Sequence, residues 1–304
     1  MGGVPSVAAM PLRVANAPNS WGIEDPGDPA NPPWPRVLDE TAAVGYDGTE
    51  LGPLGYLPEE PAVLRRELEA RELQLVAGFV FAFLHTPDGA AEAVERARAI
   101  CRLLAACGAR YLVVGQDFTP DRERSAGRAG EAGPLDEAGW AVLIAAVHAI
   151  ARVARGEHGI VACFHPHAGT YVEFEPEIER LVEETDPELV SLCLDTGHCA
   201  YAGVDPGELY RRHAARVAYF HLKDLRPEPL RAAPLSFEQA VAARVFCPLG
   251  DGVVDFEALS DALDEHGFEG WGTVEQDRLP AEAGSTAREA AASLRHLRAV
   301  GLAA

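Results

Sequence analysis

Short apolar runs alternate with longer amphipathic segments along most of the chain. Each run is bounded by turn residues, which is typical of a strand buried on both faces. The clearest run covers 190–194 and ends abruptly in Asp195. We predict strands at 12–17, 46–51, 75–83, 111–115, 160–167, 190–195, 217–222 and 272–276.

The amphipathic segments predict helices between these strands, at 34–44, 61–71, 88–107, 135–155, 176–184, 206–213, 256–265 and 287–300. Regular alternation of strands and helices indicates parallel strands joined by crossover helices. Eight such units predict an α/β fold, a closed (β/α)8 TIM barrel. A doubly wound open sheet is the alternative, disfavoured because no G-x-G-x-x-G motif follows the first strand.

The barrel is expected to form one domain over 12–304, preceded by a disordered N-terminal extension at 1–11. The polar, Gly-rich stretch 119–133 is predicted to be a mobile loop. The excursion at 227–252 is long for a loop and is predicted to contain one helical turn, at 236–244.

The composition indicates which classes of binding partner and which cellular compartment to expect. The net charge of −21 disfavours nucleic acid and anionic membrane surfaces. No apolar run reaches the length of a membrane span, and the N-terminus does not have the pattern of a secretory signal. None of the six cysteines forms a C-x-x-C pair, so we expect buried thiols and a reducing, cytoplasmic location.

Polar side chains collect at the C-terminal ends of the predicted strands, the face on which TIM barrels build their active sites. They are Glu50, His85, Gln116, His165, His167, Asp195, His198, His221 and Glu275. His165 and His167 alternate along one strand, so their side chains share a face. Acids and imidazoles from several strands indicate a divalent metal site with open positions for substrate.

Each of these residues also has an ordinary structural explanation when it is taken alone. Asp195 is a suitable cap for the turn that follows it, and Glu50 or Glu275 would suit an ion pair at the rim. A functional site is favoured because acids or imidazoles lie at the same end of five strands, which is improbable by chance. Two neighbouring features are interpreted as structural: Lys223 with Asp224 as a local charge pair, and the acidic run 173–179 as a solvated helix start.

Four motifs in the chain resemble the xylose isomerase-like barrel family of sugar isomerases and epimerases. They are G-T-E-L-G at 48–52, L-D-T-G-H at 194–198, H-L-K-D at 221–224 and V-E-Q-D at 274–277. Within that family the inosose dehydratases are most similar, through A-P-N-S-W-G at 17–22, H-P-H-A-G-T at 165–170 and the excursion that ends in G-D-G at 250–252.

The resemblance implies a divalent metal, one of Mn, Co, Fe, Mg or Zn, held by His165, Asp195, His221 and Glu275. Most relatives carry Glu at the position of His165, so His167, Glu173 or a water are alternatives for that ligand. The resemblance also implies substrate contacts from His198 and Arg226, and His167, Trp21 and Lys223 are further candidates for substrate binding. Family members are often homo-oligomers.

The implied reaction is dehydration of 2-keto-myo-inositol or a related polyhydroxy ketone through an enolate. Glu275 or Glu50 would act as the base and His198 as the acid. Reprotonation of the same enolate would instead give a sugar isomerase or epimerase with the same residues. An apurinic-site endonuclease is disfavoured by the acidic charge. A metal-free sugar-binding protein, using Trp21, Tyr56 and Phe81, is disfavoured by the complete set of acids and imidazoles.

Overall fold

The computed structural model describes residues 12–279 and 285–304. Its strands are β1 (Arg13–Asn16), β2 (Gly48–Thr49), β3 (Gln74–Leu75), β4 (Ala77–Ala82), β5 (Tyr111–Gln116), β6 (Val161–Phe164), β7 (Val190–Asp195), β8 (Val217–Leu222), β9 (Asp224–Leu225), β10 (Phe246–Cys247) and β11 (Trp271–Val274). The prediction for 1–11 lies outside the described residues.

The helices are α1 (Trp34–Val44), α2 (Pro61–Glu69), α3 (Pro87–Ala106), α4 (Pro120–Arg124), α5 (Glu137–His158), α6 (Glu175–Glu184), α7 (Thr196–Tyr201), α8 (Pro206–His213), α9 (Glu228–Ala232), α10 (Phe237–Ala242), α11 (Phe256–His266) and α12 (Thr286–Ala299). A 3-10 turn, Pro18–Trp21, follows β1.

The main sheet is parallel and closes into a barrel. Its order is β3-β2-β1-β11-β8-β7-β6-β5-β4. Only Val76 separates β3 from β4, and its carbonyl accepts the amide of Tyr111 while its own amide donates to Thr49. Strands β3 and β4 are therefore one bent strand that joins both edges, which confirms the (β/α)8 prediction.

Local sequence signals set the helix boundaries. Side chains of Thr86, Asp136 and Asp255 cap the first turns of α3, α5 and α11 by accepting a backbone amide three residues later. Gly159 and Gly267 end α5 and α11 in the left-handed region, which glycine adopts without strain.

Alternating residues of each strand point in opposite directions, which separates two cores. The outer core, between sheet and helices, holds most of the large aliphatic residues. The barrel interior holds smaller residues together with Trp271 and with Tyr111 and Tyr219, whose rings stack with centroids 4.7 Å apart. The alternation of side-chain direction continues past the C-terminal ends of the strands. It determines which side chains point into the opening of the barrel at that end.

Three segments differ from the prediction. The excursion contains two helices, α9 and α10, where one helical turn at 236–244 is predicted. The stretch 119–133 contains helix α4 and is tied down: Arg122 binds Glu177 through two nitrogens, and Arg128 donates to the carbonyl of Leu235. Helix α5 is the one described helix that is long and apolar enough to cross a membrane by length and composition. Its buried side chains, including Leu143, pack in the outer core, as expected for a barrel helix.

Candidate metal centre

Four ionisable side chains from four neighbouring strands meet inside the mouth of the barrel. Asp195 ends β7 and His221 lies in β8, while His165 and Glu275 directly follow β6 and β11. One donor atom from each residue lies within 4.8 Å of those of the other three, and all four residues are buried. The parallel register, which pairs Asp195 with His221, brings them together.

Three of the four residues in this cluster have buried side-chain atoms that lack hydrogen-bond partners. Both ring nitrogens of His165, Oδ2 of Asp195 and Nδ1 of His221 are buried without one. Unsatisfied polar atoms are rare in protein interiors because each costs free energy. Two imidazole nitrogens and two carboxylate oxygens suit a divalent ion such as Mn, Co, Fe or Zn. The residues present therefore fit the implied metal.

Cys193 could replace the carboxylates in a second arrangement with His165 and His221, because it lies close to both imidazoles. Burial raises the pKa of the Cys193 thiol to about 11. Metals bind the thiolate form, so this shift disfavours Cys193. In contrast, Lys223 and the imidazoles of His165 and His221 outweigh burial and lower the pKa of Asp195 to about 2.

Glu50 lies behind His221 rather than in the open pocket. Its Oε1 accepts hydrogen bonds from the Tyr219 hydroxyl (2.6 Å) and from Nε2 of His221 (3.0 Å). The Nδ1 atom of His221 then faces Glu275 Oε2 at 3.1 Å. A carboxylate that holds the remote nitrogen of a ligating histidine is a common partner in metal sites. Glu50, one of the two carboxylates predicted as the base, therefore lies where it can position His221.

Lys223 also points into this pocket, so its interpretation as a charge pair with Asp224 is wrong. Its Nζ lies 3.0 Å from both His198 Nε2 and Asp277 Oδ1, 3.1 Å from Glu275 Oε2 and 3.3 Å from Asp195 Oδ2. The strand alternation explains the contact, since Lys223 follows His221 by two residues. The substrate-binding prediction for Lys223 is compatible with this placement.

Asp224 points the opposite way and anchors the excursion. Its two oxygens accept the backbone amides of Leu225, Gly250, Gly252 and Val254 at 2.9–3.0 Å. The G-D-G segment is therefore held against the hairpin formed by β9 and β10. A side chain on Gly252 would collide with the Asp224 carboxylate, at 2.2 Å. Close backbone approach is thus the reason for glycine there.

His198 and His167 form one wall of the pocket, with ring centroids 3.7 Å apart. Asp195 positions His198, because its Oδ1 caps α7 by accepting the His198 amide at 2.8 Å. Nδ1 of His167 lies 2.8 Å from the carbonyl of Ala168 and must donate to it, which leaves Nε2 as an acceptor. Burial, followed by neighbouring positive charges, holds the pKa of both imidazoles well below its ordinary value.

Aromatic rings from the excursion and from β4 enclose these imidazoles. Phe237, the first residue of α10, packs against His167 at 5.1 Å and stacks on Phe118 at 5.3 Å, between centroids. Phe246 meets His198 at 5.8 Å, and Phe81 meets His167 at 5.5 Å. The excursion therefore forms a hydrophobic roof beside the metal centre.

Two acidic residues of the site were missed from sequence. Asp277 follows Glu275 by two residues and binds Lys223, and the alternation along β11 is the signal that would have found it. Glu24 lies on the loop after β1. Its side chain is exposed, and it lies near enough to Asp277 and Glu275 to interact with their charges.

Three residues that were predicted to contribute to the site lie outside the pocket. Trp21 is fully buried in the outer core and donates to Glu40 at 2.7 Å, so its substrate-binding prediction is wrong. Arg226 is 46% exposed and pairs with Asp251 at 2.8 Å, which directs it to the surface. His85 packs against Tyr171, with centroids 5.0 Å apart, outside the cluster of four.

Glu173, an alternative ligand to His165, also lies outside the cluster. Its carboxylate accepts the amide of Gly127 at 2.6 Å and lies 3.5 Å from the guanidinium of Arg122. The acidic run is therefore not uniformly solvated, because Glu173 is buried and Glu177 is bound to Arg122. Burial raises the pKa of Glu173 to about 7. Its role is to tie the loop after α4 to the start of α6.

Comparisons with known proteins agree with this architecture. Residues 38–300 match the model of the family described as xylose isomerase-like TIM barrel. An inosose dehydratase of Geobacillus kaustophilus is 36% identical over 285 residues, which cover 90% of both chains. A second, from Salmonella typhimurium, is 32% identical over 275 residues, covering 88% of this chain and 90% of that one. The solved structure of an IOLI protein with a bound zinc atom superposes with a TM-score of 0.70 at 17% identity, covering 95% of this chain and 98% of that one.

Proposed function

The chain belongs to the xylose isomerase-like TIM barrel family, within its inosose dehydratase group, and on that premise we propose that it is a metal-dependent lyase. Its substrate is 2-keto-myo-inositol or a related polyhydroxy ketone, which loses water through an enolate. The observation that carries the proposal is the buried cluster of His165, Asp195, His221 and Glu275 with the imidazole of His198 beside it.

The four clustered residues would hold the ion, and Glu50 would fix the orientation of His221. A divalent ion there supplies Lewis-acid stabilisation of the negative charge that develops on the substrate oxygens. Mixed nitrogen and oxygen donors leave Mn, Co, Fe, Mg and Zn as candidates. The carboxylates remain ionised near neutral pH, since neighbouring cations hold the pKa of Asp195 low.

Dehydration requires a base for the proton next to the ketone. Of the two carboxylates predicted for this task, Glu275 faces the pocket beside Lys223, and Glu50 is engaged with Tyr219 and His221. We therefore assign proton abstraction to Glu275. Burial would raise the pKa of Glu275, but the charges of His221 and Lys223 outweigh it and hold that pKa well below its ordinary value, so the carboxylate is ionised and free to accept a proton.

The departing hydroxyl needs a proton, and His198 is placed to provide it. Its Nε2 contacts the ammonium of Lys223 at 3.0 Å, and its Nδ1 has no hydrogen-bond partner. With Lys223 as the donor to Nε2, His198 carries its proton on Nδ1. It can pass that proton to the leaving hydroxyl while Lys223 replaces it on Nε2. His167 would bind a substrate hydroxyl through its acceptor Nε2.

The test is a 2-keto-myo-inositol dehydration assay before and after EDTA, paired with elemental analysis of protein purified without chelator. The lyase proposal expects about one metal per chain and a chelator-sensitive ultraviolet absorbance from the enolised dione. Metal without dione, but with an isomeric ketose, would move the assignment to an isomerase or epimerase that uses the same site. Protein without metal, unable to bind added metal, would overturn both.

Location and assembly are also proposals. All six cysteines are free thiols, which supports a reducing, cytoplasmic compartment. The partner is expected to be a small polyol or ketose rather than nucleic acid or membrane, because the chain carries a net charge of −21. A homo-oligomer is expected from the family resemblance.

A further inference from the structure

Lys223 is the only lysine among the 26 lysine and arginine residues of the chain, and it is 1% exposed inside the metal centre. We propose that Lys223 is a built-in cation of this centre, which binds the ligand carboxylates in the metal-free protein and competes with the divalent ion for them. The proposal rests on the metal centre proposed above.

The ammonium of Lys223 contacts two kinds of residue: candidate metal ligands and residues outside the ligand set. On one side it lies 3.3 Å from Asp195 Oδ2 and 3.1 Å from Glu275 Oε2, which are atoms of the candidate ligand set. On the other side it lies 3.0 Å from Asp277 Oδ1 and from His198 Nε2, which are not in that set. Lys223 therefore shares two oxygens with the ion and has two other partners that it keeps when an ion takes those oxygens.

The ammonium of Lys223 balances the negative charge of the neighbouring carboxylates. Asp195 and Glu275 are buried and Asp277 is partly buried beside them, and uncompensated buried carboxylates are strongly destabilising. Without a metal, the ammonium is the positive group that contacts all three. With a metal bound, the same positive charge lies next to the ion and weakens its binding by repulsion.

The chain leaves room for a long side chain at position 223. A Cβ atom on Gly197 would lie 2.6 Å from Cγ and 2.7 Å from Cβ of Lys223. Gly197 therefore provides the space through which the lysine stem passes, in a chain whose other basic residues are arginines. A compact ammonium with three rotatable donors contacts the carboxylates from one point, whereas a larger, planar guanidinium would need more room between them.

The test measures metal binding and stability, without turnover. Protein stripped with EDTA is titrated with Mn²⁺ by calorimetry, and its Tm is measured with and without Mn²⁺. Lys223→Met removes the charge and keeps an unbranched stem. Arg231→Met, on the exposed helix α9, removes one positive charge at the surface and serves as the matched control.

We expect Lys223→Met to bind Mn²⁺ at least tenfold more tightly than the wild type, with a lower Tm without metal and a larger rise of Tm when Mn²⁺ is added. The control should match the wild type in all three. Equal or weaker Mn²⁺ binding by folded Lys223→Met overturns the proposal but leaves the metal centre intact. A wild type that binds no divalent ion overturns both.

A measurement on the wild type covers the case in which Lys223→Met does not fold. Lysine labelled with ¹⁵N at Nζ gives a single side-chain resonance, because the chain has one lysine. Saturation with Zn²⁺ should shift this resonance as the ammonium loses its contacts with Asp195 and Glu275. A resonance that stays unchanged in the Zn²⁺-saturated protein would contradict the competition.

Discussion

Glu50 and His221 are joined by a hydrogen bond of 3.0 Å that decides which ring nitrogen faces the pocket. Because Nε2 of His221 is held by Glu50, Nδ1 is directed toward Glu275 and Asp195, at 3.1 and 3.8 Å. The orientation of a candidate metal ligand thus depends on a residue that follows a strand three places away in the sheet, 171 positions away in sequence.

Glu50→Gln is expected to weaken metal binding about 10- to 100-fold, which is typical for the loss of a carboxylate partner of a ligating histidine. The activity should return as the metal concentration is raised. Metal affinity by calorimetry and kcat at saturating metal are the two measurements. If Glu50 were instead the base, the variant would bind metal normally and lose kcat. Glu59→Gln, at an exposed position of the following loop, is the control.

Asp195→Asn should lose metal and activity together. Its side-chain oxygen can still cap α7 through the amide of His198, so the fold is expected to be preserved. Only the negative charge of Oδ2, which faces the ligand cluster, is removed. Metal content by elemental analysis and the circular dichroism spectrum check both points. Full activity of this variant would mean that the site is misplaced.

His198→Ala should lower turnover and leave metal binding unchanged. His198 is outside the ligand set but contacts Lys223. We expect metal content near the wild-type level and a kcat lower by about 10²- to 10⁴-fold, the usual contribution of general acid catalysis. Loss of metal in parallel with turnover would show instead that His198 supports the ligands.

Most residues of this pocket can be predicted from sequence, because side chains alternate in direction along β8 and β11. The strand ends, and with them His165, Asp195, His221 and Glu275, follow from the short apolar runs and the convergence of parallel strands. The same period of two, extended past each strand end, also places Lys223 and Asp277 in the pocket. The position of Asp277 is thus encoded in its spacing of two residues from Glu275.

Trp21 and Arg226 could not be placed in this way, because irregular segments carry them. The 3-10 turn Pro18–Trp21 rotates the indole into the outer core, where Glu40 accepts its N–H. Arg226 follows β9, whose antiparallel pairing with β10 turns its side chain toward Asp251 at the surface. Side-chain directions after such turns depend on tertiary contacts that no local period encodes.

Asp224→Asn is expected to release the excursion. The carboxylate accepts four backbone amides, and an asparagine NH2 group would face two of them as a second donor. Leaving buried amides unsatisfied should lower the free energy of unfolding by about 2–4 kcal/mol. Activity should fall as well, because the excursion carries Phe237 and Phe246 over the imidazole wall. Urea unfolding checks the stability, and limited proteolysis shows whether 227–252 has become accessible.

Glu173 gives the fold a dependence on pH that can be tested without the metal. Folding raises the pKa of this carboxyl from 4.5 to about 7 through burial, so the folded state binds the proton more tightly than the unfolded state. The stabilisation is complete below pH 4.5 and is lost as the pH rises through 7. Its full size is about 3 kcal/mol, from the size of the pKa change.

Glu173→Gln removes this titration while its side-chain oxygen can still accept the amide of Gly127. The variant should therefore gain stability relative to the wild type between pH 5 and pH 8.5, by up to about 3 kcal/mol. Urea unfolding of both EDTA-treated proteins at the two pH values gives the difference directly, since all other titrating groups are shared. A difference that stays constant would mean that Glu173 is ionised throughout, held by the guanidinium of Arg122 at 3.5 Å.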